Sequence, residues 1–185
     1  FMIVPNPTTP TESMRMASEI FHSLGKLLKD KGLSTLVGDE GGYSPALSSN
    51  EDAFKIILEA AKNTAYENVK DFRFAIDAAA SEFVRDGIYD LKKENKEMTA
   101  EELTRYYSEI GQEFKILSFE DAFSEEDFTA HKKFTEMAKE FDFITIGDDL
   151  FCTNPGLIEK GINEHLANGV LIKLNQIGTV TETCT

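Results

Sequence analysis

Across 185 residues, 41% hydrophobic and 28% charged side chains are ordinary proportions for a globular chain that can bury one core. The 33 acidic side chains outnumber 19 basic ones for a net charge of −14, which repels phosphate backbones and anionic lipid and argues against nucleic-acid and membrane partners. Cys152 and Cys184 stand far apart in no Cys-x-x-Cys spacing, so no disulfide framework or thiolate zinc site is indicated and a reducing, cytoplasmic compartment is expected. The apolar opening Phe1-Met2-Ile3-Val4 stops at Pro5 without a basic flank; it is too short for a signal sequence or membrane span and reads as a strand. From Thr11 to Lys29, Met14, Ala17, Phe21, Leu24 and Leu28 recur at three-and-four spacing and predict a helix with that face inward. The loop Gly38-Asp39-Glu40-Gly41-Gly42 follows. Its glycines would let backbone approach a ligand and move, although glycine and aspartate are also ordinary turn formers. A second helix is expected over 50–64, with Ala53, Ile57 and Ala60 inward.

After residue 70 the pattern alternates strand, helix, strand, helix, strand, helix, strand. The three helices open with Thr99 and Glu102 in capping-box spacing, run from about Glu125 to Phe141, and run from Pro155 to Leu166. The first presents Leu103, Tyr107, Ile110 and Phe114, and Phe128, Phe134 and Phe141 are expected in the core. Lys92 to Glu97 reads as a charged loop, and His22, His131 and His165 fall on predicted helices with no catalytic assignment. Such alternation argues for a parallel sheet with helical crossovers. FRFAIDAAASEF lacks a glycine-rich phosphate loop, which favours a barrel over a doubly wound sheet.

Each of the four strands ends on an ionisable residue: Asp77 in FRFAID, Glu120 in ILSFED, Asp148 in FITIGDD and Lys173 in VLIKLNQ. In a parallel barrel the chemistry collects at the C-terminal strand ends, so three carboxylates and a lysine should converge on one mouth, as a metal site with a base beside it. Asp39, Asp121 and Asp149 adjoin proposed site residues but alternate to the other side, so hydrogen bonding behind the site is expected of them.

VGDEGGYSP at 37–45, AIDAAASEF at 75–83, DGIYDL at 86–91, SFEDAF at 118–123, GDDLFCTNP at 147–155 and IKLNQIGTVTET at 172–183 closely resemble enolase, in register from Phe1 to Thr185. The resemblance implies an α/β fold, an incomplete (β/α)8 TIM barrel. It also implies phosphopyruvate hydratase activity, the magnesium-dependent glycolytic dehydration of 2-phosphoglycerate to phosphoenolpyruvate by a cytoplasmic, usually dimeric enzyme. By resemblance, Asp77, Glu120 and Asp148 are the Mg2+ ligands, Lys173 is the base that takes the C2 proton, and Glu40 is the acid that protonates the departing C3 hydroxyl. Glu120, Asp148 and Lys173 also face substrate. Lysine serves as a base only with a lowered pKa, expected here from burial beside cations, whereas Glu40 must carry a proton.

Ser118-Phe119-Glu120-Asp121-Ala122 departs from the family's Ser-Ile-Glu-Asp-Pro, and Leu174 stands where relatives have valine or proline; neither change removes a catalytic group. Relatives also carry a glutamate before the position of Phe1, an N-terminal domain with a second-metal loop, and later a Ser-His-Arg segment and a substrate-binding lysine. A closed barrel needs about 250 residues, so residues 1–185 alone are expected to be a partial domain without dehydratase activity. The alternatives are an acid-sugar dehydratase of the same superfamily, disfavoured by GDEGG and NQIGT, and a non-catalytic binding protein on an enolase scaffold, disfavoured by retention of Glu40, Asp77, Glu120, Asp148 and Lys173.

Overall fold

The computed structural model describes residues 1–6, 9–68 and 70–184. It divides into two units, Phe1–Phe74 and Ala75–Thr185. In the first, strand β1 (Met2–Pro5) precedes helices α1 (Pro10–Asp30) and α2 (Asn50–Ala61), and the chain then enters β2 (Phe72–Asp77). Thr9 and Ser49 cap the helices by accepting the N–H groups of Glu12 and Asp52. The Ser23 hydroxyl donates to the Ala60 carbonyl at 2.7 Å, tying α1 to α2.

On α1 the buried face is Met16, Ile20 and Leu28; of the expected inward stripe Leu28 is buried and Ala17 and Leu24 half-buried, but Met14, at 71%, and Phe21 are exposed, which corrects it there. The helix is apolar at both 14 and 16. At 3.6 residues per turn these lie about 200° apart, so spacing alone could not choose between their stripes. On α2, Ala53, Ile57 and Ala60 are buried.

The second unit holds the end of β2, a three-stranded ribbon, and then β6 (Ile116–Glu120), β7 (Ile144–Gly147) and β8 (Gly169–Val170), in the order β2-β6-β7-β8. The pairs β6–β7 and β7–β8 are parallel, with Ser118 opposite Ile144 and Ile146 opposite Gly169. Helices α3 (Ala100–Phe114), α4 (Phe128–Phe141) and α5 (Pro155–Glu164) connect them, and α6 (Leu174–Ile177) and α7 (Val180–Thr183) follow β8. This is an incomplete (β/α)8 barrel of α/β class, its strands in an open order among the described residues.

The ribbon, β3 (Val84–Arg85), β4 (Ile88–Leu91) and β5 (Lys96–Met98), is antiparallel; of the loop expected at 92–97, residues 92–95 form the connecting turn and Lys96 and Glu97 enter β5. Asp86 and Gly87 both have positive φ (51° and 77°), as in the two-residue turns that match strand twist. The expected capping box forms, with Glu102 accepting the Thr99 N–H and Thr99 accepting the Glu102 N–H. Helix α4 begins three residues later than expected because Asp127 caps it, accepting the Ala130 N–H at 3.0 Å. His165 terminates α5 in the left-handed region (φ 59°) and so lies outside the helix.

Leu103, Tyr107, Ile110 and Phe114 of α3 are buried. An aromatic cluster continues the core: Phe119 meets Phe134 edge-on at 5.3 Å, and Phe134 lies 5.0 Å from Phe143. Phe134 is core; Phe128 and Phe141 are only half-buried. Among the described residues no helix is long and apolar enough to cross a membrane.

Candidate active site

Hydrogen bonding continues past the strand ends of the second unit and sets them level. Ala78 N–H donates to the Glu120 carbonyl at 3.0 Å, Asp121 N–H to Ile146 at 3.0 Å, and Leu171 N–H to Gly147 at 3.0 Å. Asp77 and Glu120 are the last residues of β2 and β6, while Asp148 directly follows β7. Lys173 lies three residues beyond β8 as the N-cap of α6, so the strand expected through VLIKLNQ is shorter than its composition suggests. Its N–H leaves the ladder and donates to Thr153 Oγ1 at 2.9 Å.

Carboxylate oxygens of Asp77, Glu120 and Asp121 lie within 4.8 Å of one another, as do those of Asp121, Asp148 and Asp149. The expected ligand set Asp77, Glu120 and Asp148 is thus divided between two groups that share Asp121. Asp121 Oδ1 accepts the N–H groups of Asp148 (3.1 Å) and Leu150 (3.3 Å), and Oδ2 accepts that of Asp149 (2.8 Å). A single carboxylate therefore fixes the turn that carries Asp148. Asp148 Oδ1 in turn accepts Gln176 Nε2 at 3.1 Å, and Oδ2 pairs with the Lys173 ammonium.

Burial sets the electrostatics first, and crowding of like charge adds to it. Glu120 is pushed up to about 7, first by its partial removal from water and then by Asp77, Asp121 and Asp148, with Lys173 opposing. The Asp77 carboxyl is raised mainly by desolvation, against the Ala79 N–H that it accepts at 3.1 Å. Burial also raises Asp121 although three amides pull it down. Lys173 is raised above its ordinary value by its hydrogen bond to Asp148, the reverse of the depression a base requires. The reason is local: its partner in this arrangement is a carboxylate and not a cation.

The loops behind these groups are strained. Ala79, Asp121, Cys152 and Thr153 all take positive φ (45°, 41°, 46° and 53°), which costs about 1–2 kcal/mol for a residue outside glycine, asparagine and aspartate. Thr153 and Gln176 join the site although neither is charged. A search for ionisable strand ends passes over them, and the signal that could have found them is their place inside GDDLFCTNP and IKLNQIGT.

In the first unit, Asp39 and Glu40 form the exposed tip of a closed turn, with Gly41 N–H on the Gly38 carbonyl and Gly38 N–H on Gly42, both at 2.9 Å. Gly41 supplies the positive φ of 79° that this turn needs. Val37 bridges Tyr43 at its base, and the Tyr43 ring stacks on Phe21 of α1 at 4.4 Å. Gly25 makes room for it: a Cβ there would lie 2.2 Å from the Tyr43 hydroxyl.

The second-unit cluster fits a divalent cation by its own chemistry. Its donors are all hard carboxylate oxygens, the preference of Mg2+. The family described as enolase, C-terminal TIM barrel domain, matches residues 1–185. With parallel strands, crossover helices and an acidic strand-end mouth facing a lysine, the chain belongs to that family, the barrel of enolase-superfamily lyases.

Proposed function

We propose that this chain carries the barrel site of a true enolase, a phosphopyruvate hydratase that dehydrates 2-phosphoglycerate to phosphoenolpyruvate with Mg2+. The observation that carries the proposal is the pair of strand-end carboxylate groups, Asp77 with Glu120 and Asp148 with Asp149, joined through Asp121 and with Lys173 paired to Asp148, together with the enolase-type GDEGG and NQIGT segments of the sequence. Asp77, Glu120 and Asp148 would hold the cation, which when bound supplies the positive charge that a proton next to a carboxylate needs in order to leave.

The other roles belong to side chains. Lys173 takes the C2 proton; filling the acidic mouth with positive charge removes the carboxylate pairing that now holds its ammonium charged. Glu40, on a turn anchored by Tyr43, donates a proton to the departing C3 hydroxyl. Asp121 bears no reacting atom and keeps the Asp148 turn in place. A lysine base beside Mg2+ is an arrangement general to enolase-superfamily sites and is not peculiar to this chain.

The test uses the full-length protein with Mg2+. Ultraviolet absorbance should report phosphoenolpyruvate formed from 2-phosphoglycerate, and turnover of an acid sugar instead would transfer the assignment to a sugar-acid dehydratase. Lys173→Ala should abolish exchange of the C2 proton with solvent deuterium. Glu40→Gln should abolish turnover and retain exchange, and equal loss of exchange in both variants contradicts the division of labour.

A further inference from the structure

We infer that Thr153 and Gln176 form a positioning relay that holds Asp148 by one oxygen and presents the other to the mouth; the catalytic part of this inference rests on the enolase proposal above. The hydrogen bonds run in one direction. Lys173 N–H donates to Thr153 Oγ1 (2.9 Å), the Thr153 hydroxyl donates to Gln176 Oε1 (2.6 Å), and Gln176 Nε2 donates to Asp148 Oδ1 (3.1 Å). The ion pair of Asp148 Oδ2 with Lys173 Nζ closes the circuit, so it begins and ends on the same lysine.

Each link has a consequence. Thr153 is 5% exposed and stands with φ 53°, a conformation costly for a β-branched residue and maintained here by its two hydrogen bonds. Its hydroxyl fixes both the backbone at Lys173 and the carbonyl end of the Gln176 amide. With Oε1 engaged, the amide can turn only its NH2 towards Asp148, and Asp148 Oδ1 is thereby oriented by that bond. Asp148 then has Oδ2 free for Lys173 or for a cation. Because Asp121 fixes the Asp148 backbone and Gln176 its side chain, the carboxylate is held at both ends.

The test measures Mn2+ affinity by electron paramagnetic resonance and solvent exchange of the C2 proton of 2-phosphoglycerate, in the full-length protein and in Thr153→Val, Thr153→Ser, Gln176→Leu and the Val/Leu double variant. Misplacing a reacting group by about 1 Å costs about a hundredfold. Thr153→Val and Gln176→Leu should therefore each slow exchange by about tenfold or more and weaken Mn2+ binding. Thr153→Ser should recover most of the loss, and the double variant should be little worse than the poorer single, as for parts of one circuit. Thermal melting accompanies each measurement. Unaltered exchange and Mn2+ affinity in Gln176→Leu, or losses that only follow the melting temperature, overturn the relay. If the parent protein binds Mn2+ without exchanging the proton, the enolase proposal fails and the Mn2+ shift alone decides the relay; a parent that binds no Mn2+ overturns both.

Discussion

Replacing Asp121 with asparagine removes one oxygen from a carboxylate that serves three amides. Oδ1 would survive as the amide carbonyl and still accept the N–H groups of Asp148 and Leu150, now at 3.1 and 3.3 Å, but the new NH2 would face the Asp149 N–H, which Oδ2 accepts at 2.8 Å. An amide left without an acceptor costs about 1–3 kcal/mol, and each bond that loses its charged acceptor weakens by about 1 kcal/mol. Against this, the buried carboxylate no longer has to be desolvated, which its raised pKa shows to be a real cost. The net loss is about 2–3 kcal/mol. Asp121→Ala abandons all three amides and adds about 1 kcal/mol because alanine tolerates φ 41° less well than aspartate or asparagine, giving about 4–6 kcal/mol. For a domain of this size 1 kcal/mol is about 2–4 °C in melting temperature, so urea and thermal unfolding of the full-length protein should rank parent, Asn and Ala in that order. Mn2+ affinity should fall in the same order, since Asp148 rides on the released turn. An asparagine variant that melts with the parent, or an alanine variant more stable than the asparagine one, would refute the role assigned to Asp121.

If Glu120, raised to about 7, is a cation ligand as proposed, its protonated fraction must shed a proton when a cation binds, so Mn2+ affinity should drop about tenfold per unit as pH falls from 7 to 5. Calorimetry in buffers of different ionisation enthalpy should register the released proton; equal affinity at pH 6 and pH 8 would contradict this. His131 is buried with Nε2 against the Phe123 carbonyl at 3.2 Å, and burial holds its pKa below the ordinary value. Its contribution to stability is present above about pH 6.5 and lost as pH falls, opposite in sign to that of Glu120, and His131→Leu should flatten that limb of a urea-stability profile. At Gly161 a Cβ would sit 2.3 Å from Phe151 Cε1, so Gly161→Ala should cost about 1–3 kcal/mol by overpacking, read as a lower melting temperature.

Much of the architecture is legible in the sequence, for identifiable reasons. Apolar strands such as FRFAID alternate with helices long enough to show a full period, and Thr99 with Glu102 marks a helix start by chemistry that has few other uses. The ribbon of β3, β4 and β5 escapes such a reading because its strands are two to four residues long and KEM, two of whose three residues are charged, looks like a loop; its Asp86-Gly87 turn is the available clue. At the site, charge makes Asp77, Glu120, Asp148 and Lys173 visible. What charge does not convey is which oxygens are already engaged: Asp121 is as acidic as its neighbours, yet both its oxygens accept backbone amides. Thr153 and Gln176 carry no charge and are recognised only through their partners.

The cluster poses a folding problem that explains its surroundings. Two unit charges 4.8 Å apart repel by about 3.5 kcal/mol at an effective dielectric of about 20, and Asp77, Glu120, Asp121, Asp148 and Asp149 crowd at such distances with Lys173 as the ammonium among them. Two local devices reduce the cost without removing the acids. Asp121 spreads its charge over three amides, and Glu120 takes up a proton near neutrality. Neither device occupies Asp148 Oδ2, whose partner is the partly exposed end of Lys173. Under the proposed function, a cation that displaced this ammonium would relieve the repulsion and free the lysine in one step, so the crowding that is unfavourable for the fold would favour binding of the ion.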